Sequence, residues 1–303
     1  MTSPEASAVY LTGFRQATGQ LVELGQLAGE IESPVARRLQ REGFDSCYIA
    51  SRHSVALAIQ ILQDKQYLDT VSAIVYATDD LAEKAPQQIV RELLGAVGME
   101  HVPTFVVSGN GCANFGAALV SAAGGLEHLG PEIALVTADG ARTGNRVLTE
   151  EMSLLGDAAG ACVVSRDAPA SGYRVHGVRC AMSSETGNFD AAPTASLRGS
   201  LDGVGAAVDS ALDNAGWERQ SLTALVVGNY SRSSRRLLAM GADIPFEKVY
   251  PQGRITGGHC FASDIIGTLH ALDAARSLRP GDRLLALATG PNCWYAVSLT
   301  SVR

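Results

Sequence analysis

The sequence has little positive charge and few aromatic residues. Lys and Arg number 24 against 31 Asp and Glu, which gives a net charge of −7, and 6% of the 303 residues are aromatic. Because acidic residues outnumber basic ones, the chain lacks the excess of positive charge typical of nucleic-acid-binding proteins, and its net charge disfavours binding to acidic membrane surfaces. Because 46% of the residues are hydrophobic, disorder is excluded and a folded protein with a large core is expected.

Paired cysteines are also missing. The six cysteines, at positions 47, 112, 162, 180, 260 and 293, form neither a Cys-x-x-Cys pair nor a Cys/His cluster at zinc spacing. This usage indicates a reducing compartment and no structural metal. The N-terminus lacks the basic start and apolar run of a secretory signal. We therefore expect a cytoplasmic protein without a metal site.

One uncharged stretch, Val102–Leu126, has enough residues to cross a bilayer. Pro103 and the turn-forming segment Ser108-Gly-Asn-Gly interrupt it, and lipid offers no hydrogen bonds to an irregular backbone. We therefore expect no membrane-spanning segment.

Short apolar runs rich in β-branched residues alternate with helical patterns. The strand-like runs are Ala73–Ala77, Thr104–Val107, Ile133–Val136, Leu225–Val227 and Leu284–Leu287. Apolar residues recur at helical spacing over Val55–Leu62, Gln87–Val97, Phe115–Leu126, Val204–Ala215 and Ile265–Leu278. This alternation predicts an α/β fold.

The two halves of the chain repeat each other. A shift of 151 residues places Gly116 on Gly267 and Gly130 on Gly281, and the order of predicted elements repeats with it. We predict an internal duplication: residues 1–165 form a half that carries a nucleophilic cysteine, and residues 166–303 form a half that carries a histidine and an acid. The stretch Ser183–Ser200 is expected to be a loop between the halves, and two such lobes commonly form a site where they meet.

The segment Ser108-Gly-Asn-Gly-Cys-Ala-Asn-Phe places Cys112 in a tight turn between a predicted strand and a helix of small residues. Flanking glycines permit a strained turn and close approach of a substrate, and the start of a helix stabilises a thiolate. The same helix start offers backbone N–H groups to an oxyanion. The pattern predicts a nucleophile, and the alternative is a small buried cysteine at a strand–helix junction.

A thiol nucleophile needs a base, and among six histidines His259 lies in matching surroundings. Its segment, Ile255-Thr-Gly-Gly-His-Cys-Phe-Ala-Ser-Asp, is the second-half counterpart of the Cys112 turn, because Ser263 follows Cys112 by 151 residues. Asp264 is placed to orient the imidazole and fix its tautomer, as a triad acid does. Two alternatives stay open: a His259 that is only hydrogen-bonded in a Gly-rich loop, and an Asp264 that only serves the first turn of a helix.

Asn229 ends a predicted strand in Leu225-Val-Val-Gly-Asn-Tyr-Ser-Arg, where α/β sheets often carry functional groups. Its amide is a candidate for binding a substrate carbonyl, and the alternative is an N-cap for a helix over Ser231–Gly241. Two glycine-containing turns each precede an apolar strand. We expect Leu154-Leu-Gly-Asp to be structural and Ala288-Thr-Gly-Pro-Asn-Cys-Trp to line a pocket.

Together these segments resemble the thiolase superfamily, and within it the ketoacyl synthase III branch of condensing enzymes, over most of the chain. The segments that carry the resemblance are the Cys112 helix start, Leu155-Gly-Asp-Ala-Ala-Gly-Ala, Ile255–Leu269 and Leu278-Arg-Pro-Gly-Asp-Arg-Leu-Leu. The resemblance implies a five-layered αβαβα fold of two pseudo-symmetric halves, a homodimer, and Cys112 as the residue that takes an acyl group from a thioester.

The polar groups of the site differ from those of the ordinary condensing enzyme, which has a Cys-His-Asn triad with its His in a His-Gln-Ala-Asn motif. Here that motif reads Asn229-Tyr-Ser-Arg, and the later Asn position reads His259. The pattern is similar to that of ketoacyl synthase III-like acyltransferases of natural-product pathways such as antibiotic biosynthesis, in which Cys-His-Asp moves an acyl group onto oxygen, nitrogen or sulfur. This resemblance implies Cys112, His259 and Asp264 as the catalytic residues.

The donor side also departs from the family. Its second oxyanion donor comes from a Gly-rich turn that here reads Thr289-Gly-Pro-Asn-Cys, and since Pro291 has no N–H, Gly290 or Asn292 is the candidate. The segment that grips the adenine of CoA is missing, which favours an acyl carrier protein as donor. One predicted helix carries three arginines that could bind a CoA phosphate or the acidic face of a carrier protein: Arg232, Arg235 and Arg236. The alternative is that they form a solvated helix face.

We therefore predict an acyltransferase without a bound cofactor. It takes an acyl group from an acyl-CoA or acyl-carrier-protein thioester onto Cys112 and passes it to a hydroxyl, amine or thiol of a small-molecule acceptor. Two alternatives remain: a ketoacyl synthase III-type condensing enzyme that forms a carbon–carbon bond, and a catalytically silent partner subunit of a condensing system.

Overall fold

The computed structural model describes residues 8–64, 69–81, 84–141, 145–148, 153–184 and 193–302. The helices are α1 (Ser33–Arg41), α2 (Val55–Leu62), α3 (Pro86–Val97), α4 (Asn114–Gly125), α5 (Pro193–Ala215), α6 (Arg232–Gly241) and α7 (Ser263–Ala274). The strands are β1 (Val9–Thr18), β2 (Gln20–Glu23), β3 (Ser46–Ile49), β4 (Ala73–Ala77), β5 (Thr104–Val107), β6 (Glu132–Asp139), β7 (Ala158–Ser165), β8 (Tyr173–Met182), β9 (Ala224–Val226), β10 (Val249–Tyr250), β11 (Arg283–Thr289) and β12 (Cys293–Ser301).

The main sheet of the described chain runs in the order β10-β9-β11-β12-β8-β1-β7-β6-β4-β5, and β2 pairs with β3 apart from it. Its two five-stranded halves share one plan. In the first half, β4 is parallel to β5 and β6, and β7 is antiparallel to β6 and β1. In the second half, β9 is parallel to β10 and β11, and β12 is antiparallel to β11 and β8. The halves meet where β1 pairs with β8, with Leu11 opposite Tyr173.

Alternating residues of the strands point to different helix layers, as the pleat of a strand requires. On β4, Val75 packs into a central cluster with α4 and α7, whereas Tyr76 packs under α2 and α3. On β11, Ala286 faces the same central cluster, whereas Leu287 packs against α5 and α6. The layers are therefore outer helices, half-sheet, central helices α4 and α7, half-sheet and outer helices, which confirms the predicted five-layered α/β fold.

Two glycines that the 151-residue shift superimposes explain how closely the halves pack. A Cβ atom on Gly116 of α4 would lie 2.2 Å from Tyr295 of β12, and one on Gly267 of α7 would lie 2.7 Å from the amide of Gln16 on β1. Each central helix thus approaches a strand of the opposite half closely. At Gly116 the contact is with the Cβ and ring of Tyr295, so only hydrogen fits there, whereas at Gly267 the contact is with the end of the flexible Gln16 side chain.

The apolar runs correspond to β4, β5, β6, β9 and β11, and the helical patterns to α2, α3, α4, α5 and α7. The expected loop over Ser183–Ser200 is corrected, because α5 already begins at Pro193, while residues 185–192 lie outside the described residues. β1 and β8 were not predicted from sequence, since their buried and exposed residues do not alternate. The division at residues 165 and 166 stays a prediction. No helix in the described part of the chain has the length and apolar character needed to cross a membrane.

Candidate active site

Cys112 follows β5 and sits in a one-turn 3₁₀ helix, Gly111–Ala113, that leads directly into α4. Gly109 and Gly111 have φ angles of 89° and 58°, a conformation that favours glycine and turns the chain sharply before the thiol. The carboxylate of Asp79, just beyond β4, accepts hydrogen bonds from the backbone N–H of both glycines, each at 2.6 Å. Asp79 therefore fixes the turn that presents Cys112.

His259 lies on the other half of the molecule and faces the thiol. Its Nε2 atom is 3.0 Å from Cys112 Sγ, and the imidazole is fully buried while Cys112 is half-buried. Cys112 and His259 are 147 residues apart in sequence, so the arrangement of the two halves brings them together.

Asp264 accepts a hydrogen bond from the Nδ1 side of His259, at the opposite edge of the imidazole from Cys112. The chain turns back between these residues at Phe261, whose φ of 54° is unusual for a residue with a side chain. The other oxygen of Asp264 accepts the backbone N–H of Cys260 at 2.9 Å. The carboxylate thus holds the imidazole with Nε2 directed at the thiol.

Asn229 supports the acid rather than facing a substrate, which corrects the expected use of its amide. Its side-chain N–H groups reach Asp264 Oδ1 at 2.9 Å and the Gly258 carbonyl at 3.1 Å, and its backbone N–H reaches Asp264 Oδ2 at 2.7 Å. The N-cap interpretation is also wrong, because Ser231 caps α6 by accepting the N–H of Ser234. Both N–H groups of the Asn229 amide are therefore used within the protein.

The backbone of His259 is fixed by the segment that follows β6. The His259 N–H donates to the Leu154 carbonyl at 2.7 Å, and the Gly156 N–H donates to the His259 carbonyl at 2.9 Å. One residue further on, the buried carboxylate of Asp157 pairs with Arg146 at 3.0 Å. This segment, expected to be structural, holds the base in place through main-chain hydrogen bonds.

Burial by itself lowers the pKa of His259, but the negative charges of Cys112 and Asp264 outweigh burial and raise that pKa to about 10. A protonated imidazole whose Nε2 lies 3.0 Å from Cys112 Sγ can stabilise negative charge on that sulfur.

Replacing Cys112 by alanine will lower the pKa of His259. Of the neighbouring charges that raise this pKa, Cys112 has the largest effect, so in Cys112→Ala the imidazole loses its proton at a lower pH than in the wild type. Histidine NMR titration of both proteins measures the change, with Cys180→Ala as a control because Cys180 is an exposed thiol. An unchanged pKa of His259 in Cys112→Ala would contradict this effect of Cys112 on the imidazole.

A cavity of about 310 Å³ opens beside Cys112 and extends between α5 and α6. Its lining includes no charged side chain among the described residues and is mostly apolar: Leu148, Leu197, Leu201, Val204, Leu237, Leu238 and Trp294. The predicted pocket turn contributes Thr289, Gly290 and Pro291. An uncharged hydrocarbon group fits this lining, since a buried carboxylate would find no cation there.

Of the two candidates for the second oxyanion donor in this turn, Gly290 is not available, and Asn292 stays a prediction. The Gly290 N–H already donates to the Cys293 carbonyl at 2.8 Å, and Asn292 is not among the described residues that line the cavity. The expectation for Gly290 is corrected because its N–H closes the turn between β11 and β12.

The three arginines of α6 do not form one cluster. Arg235 is buried and its guanidinium donates to the carbonyl oxygens of Pro251 and Gly253, so its expected role in donor binding is corrected. Arg236 lies over the ring of Phe246, 5.3 Å from the centroid. Arg232 is exposed. Of the three, Arg232 and Arg236 keep the predicted role in donor binding.

Sequence reasoning did not single out Tyr230 or Asp79. Tyr230 stacks on His259, with ring centroids 4.4 Å apart, and lines the cavity with Cys112. Asp79 directly follows the buried strand β4, at the carboxyl end where functional groups gather in parallel sheets, and this position was the available signal. Within the described residues, no group of three or more His, Cys, Asp or Glu side chains is arranged to bind a metal ion.

No family model matches the sequence, and no curated protein sequence is similar to it. Solved structures are similar over nearly the full chain. The 3-oxoacyl-(acyl carrier protein) synthase III FabH of Pseudomonas aeruginosa PAO1 has a TM-score of 0.80 at 21% identity, covering 97% of this chain and 98% of that one. The acyltransferase ChlB3 has a TM-score of 0.80 at 19% identity, covering 97% of both chains. An OleA variant of Xanthomonas campestris has a TM-score of 0.75 at 17% identity, covering 97% and 98%.

The layered halves and these similarities show that the chain shares its fold with 3-oxoacyl-(acyl carrier protein) synthase III and with the acyltransferase ChlB3. This is the thiolase-like fold that the sequence segments predict.

Proposed function

We propose that this protein is an acyltransferase that carries an acyl group on Cys112 between a thioester donor and a nucleophilic acceptor. The observation that carries the proposal is the linear arrangement of Cys112, His259 and Asp264 beside an apolar cavity. The similarity of this chain's fold to both a synthase and an acyltransferase supports acyl transfer or condensation in general.

In the first half-reaction the Cys112 thiolate attacks the carbonyl carbon of an acyl-CoA or acyl-carrier-protein thioester. The tetrahedral oxyanion collapses, the carbon–sulfur bond to the donor breaks, and the leaving thiolate takes the proton from the His259 imidazolium. The product is a Cys112 thioester, a free donor thiol and a neutral His259.

Acylation prepares His259 for the second half-reaction. The thioester carries no charge, so the largest of the neighbouring charges that raise the pKa of His259 is gone. The neutral imidazole, held by Asp264, then accepts the proton of an acceptor hydroxyl, amine or thiol while the acceptor attacks the Cys112 thioester. Collapse of the second tetrahedral intermediate breaks the carbon–sulfur bond to Cys112 and releases the acylated acceptor, and the proton taken from the acceptor stays on His259 beside the freed sulfur.

The condensing alternative is less well supported by the site. Asn229 donates both amide N–H groups to Asp264 and Gly258, and so has none to offer a thioester carbonyl. Among the described residues, the cavity lining has no cation for a malonyl carboxylate. The silent-subunit alternative gives no reason for a histidine directed at a cysteine from 3.0 Å.

Products distinguish acyl transfer from condensation. The protein is first loaded with a panel of uncharged acyl-CoA and acyl-carrier-protein thioesters, and is then given either amine and alcohol acceptors or a malonyl thioester. We expect acylated acceptor and no carbon dioxide, measured by mass spectrometry and by trapping of labelled carbon dioxide. A β-ketoacyl product with carbon dioxide release would support the condensing alternative instead.

We also propose two protein partners, a second copy of this chain and an acyl carrier protein. Strand β5 ends the sheet, and its Phe105 is 46% exposed, which suits pairing with a second copy in a homodimer. An acyl carrier protein as donor, a cytoplasmic location and a role in natural-product synthesis stay proposals on the same basis as in the sequence analysis.

A further inference from the structure

The thioester chemistry proposed above leaves one electrostatic need unmet. When Cys112 attacks a carbonyl, negative charge builds up on the carbonyl oxygen, and donors fixed around that oxygen supply much of the rate enhancement. The backbone N–H of Cys112 is one candidate. The turn that contains Gly290 faces Cys112 and packs tightly against the segment before it, since a Cβ on Gly290 would lie 2.1 Å from the Asn110 carbonyl. Yet the Gly290 N–H is already donated and Pro291 has none.

Tyr230 brings a hydroxyl to the same place. Its OH is 2.9 Å from Thr289 Oγ1 and 3.2 Å from the Thr289 carbonyl, so it sits on the turn whose Gly290 N–H is already used. The tyrosine lines the cavity together with Cys112. Its ring is held against His259, and a Cβ on Gly228 would be 2.8 Å from Tyr230 and 3.2 Å from His259.

The hydroxyl keeps its proton at working pH. Burial, followed by the Cys112 charge, raises the pKa of Tyr230 well above its ordinary value, so the group remains a hydrogen-bond donor. A phenol can rotate its O–H between the thiolate, Thr289 and an incoming oxyanion without moving its ring.

We propose that the Tyr230 hydroxyl is the second oxyanion donor of this site, acting on the tetrahedral intermediates of both acyl loading and acyl transfer. The inference rests on the proposed function. In the resting enzyme the O–H bonds with Thr289. As Cys112 forms its bond to the carbonyl carbon, the carbonyl π electrons move to oxygen, and the O–H donates to that oxygen until the carbon–sulfur bond to the donor breaks.

Tyr230→Phe tests the role because it removes the hydroxyl and keeps the ring on His259. Two rates are measured on the full-length protein by intact mass: acylation of Cys112 by an acyl-CoA that loads the wild type, and alkylation of Cys112 by iodoacetamide. Alkylation requires the thiolate but forms no oxyanion. We expect acylation to slow about 10²-fold, as for the loss of one oxyanion donor, while alkylation changes less than about threefold. Tyr10→Phe, on β1, is the control for the substitution itself.

A second variant keeps the test decisive if Tyr230→Phe folds poorly. Thr289→Val removes the side-chain hydroxyl that holds the Tyr230 O–H, and we expect it to slow acylation by a smaller factor with alkylation unchanged. Equal acylation rates in wild type and Tyr230→Phe would overturn the proposal, and so would an equal loss of acylation and alkylation, since tyrosine would then act on the thiolate. Failure of the wild type to load any donor would instead overturn the acyltransferase function itself.

Discussion

Cys112→Ala will gain no mass from any acyl donor that loads the wild type. Among the described residues, Cys112 is the cysteine whose sulfur lies 3.0 Å from the base His259 and also borders the apolar cavity. Alanine removes the nucleophile and leaves the turn intact, because Asp79 holds its backbone and not its thiol. Intact-mass spectrometry after incubation with acyl-CoA and acyl-carrier-protein thioesters measures the result.

Other cysteines provide the controls for this experiment. Cys180 is exposed and reacts with reagents in solution, so Cys180→Ala should load as the wild type does. Burial raises the pKa of Cys162 to about 12 and that of Cys293 to about 11, and these thiols are therefore poor nucleophiles near neutral pH. An acyl adduct that persists in Cys112→Ala would place the nucleophile elsewhere and refute the proposed mechanism.

His259→Ala will lose both half-reactions, but unequally. Without the imidazolium, negative charge on the Cys112 sulfur is no longer stabilised, and loading slows. Without the base the acceptor keeps its proton, and transfer falls further, by about 10²- to 10⁴-fold. The sequence alone suggests that His259 acts only as the base for the acceptor. The 3.0 Å distance between His259 Nε2 and Cys112 Sγ adds the expectation that loading also slows. Single-turnover kinetics separate the two steps.

Asp264→Asn refines the same prediction. The amide cannot carry the charge that helps to raise the pKa of His259, so we expect transfer to remain measurable but with an imidazole that titrates at lower pH. His128→Ala, a substitution of an exposed histidine, serves as the control. Wild-type transfer rates in His259→Ala would mean that another group is the base.

The fold was predictable because its buried strands and central helices have uniform apolar patterns and because the duplication repeats the glycines Gly116 and Gly267. The site was predictable where chemistry and turn geometry coincide, at Cys112 and His259. The Asn229 contacts were not, since an amide at a strand end suits a substrate carbonyl, an N-cap or a neighbouring carboxylate equally well. Only tertiary structure decides among these, by placing Asp264 within 2.9 Å of that amide.

The tight contact at Gly116 has a consequence for the divergence of sequences with this fold. Cys112 lies just before one central helix and His259 precedes the other, so the 3.0 Å distance between them depends on how deeply each helix is seated against the opposite half-sheet. A methyl group at Gly116 would lie 2.2 Å from Tyr295 Cβ and would shift that seating while each half kept its own core. Drift at this position would thus separate Cys112 from His259 in a protein that still folds, and the fold would persist as a scaffold after that contact was lost.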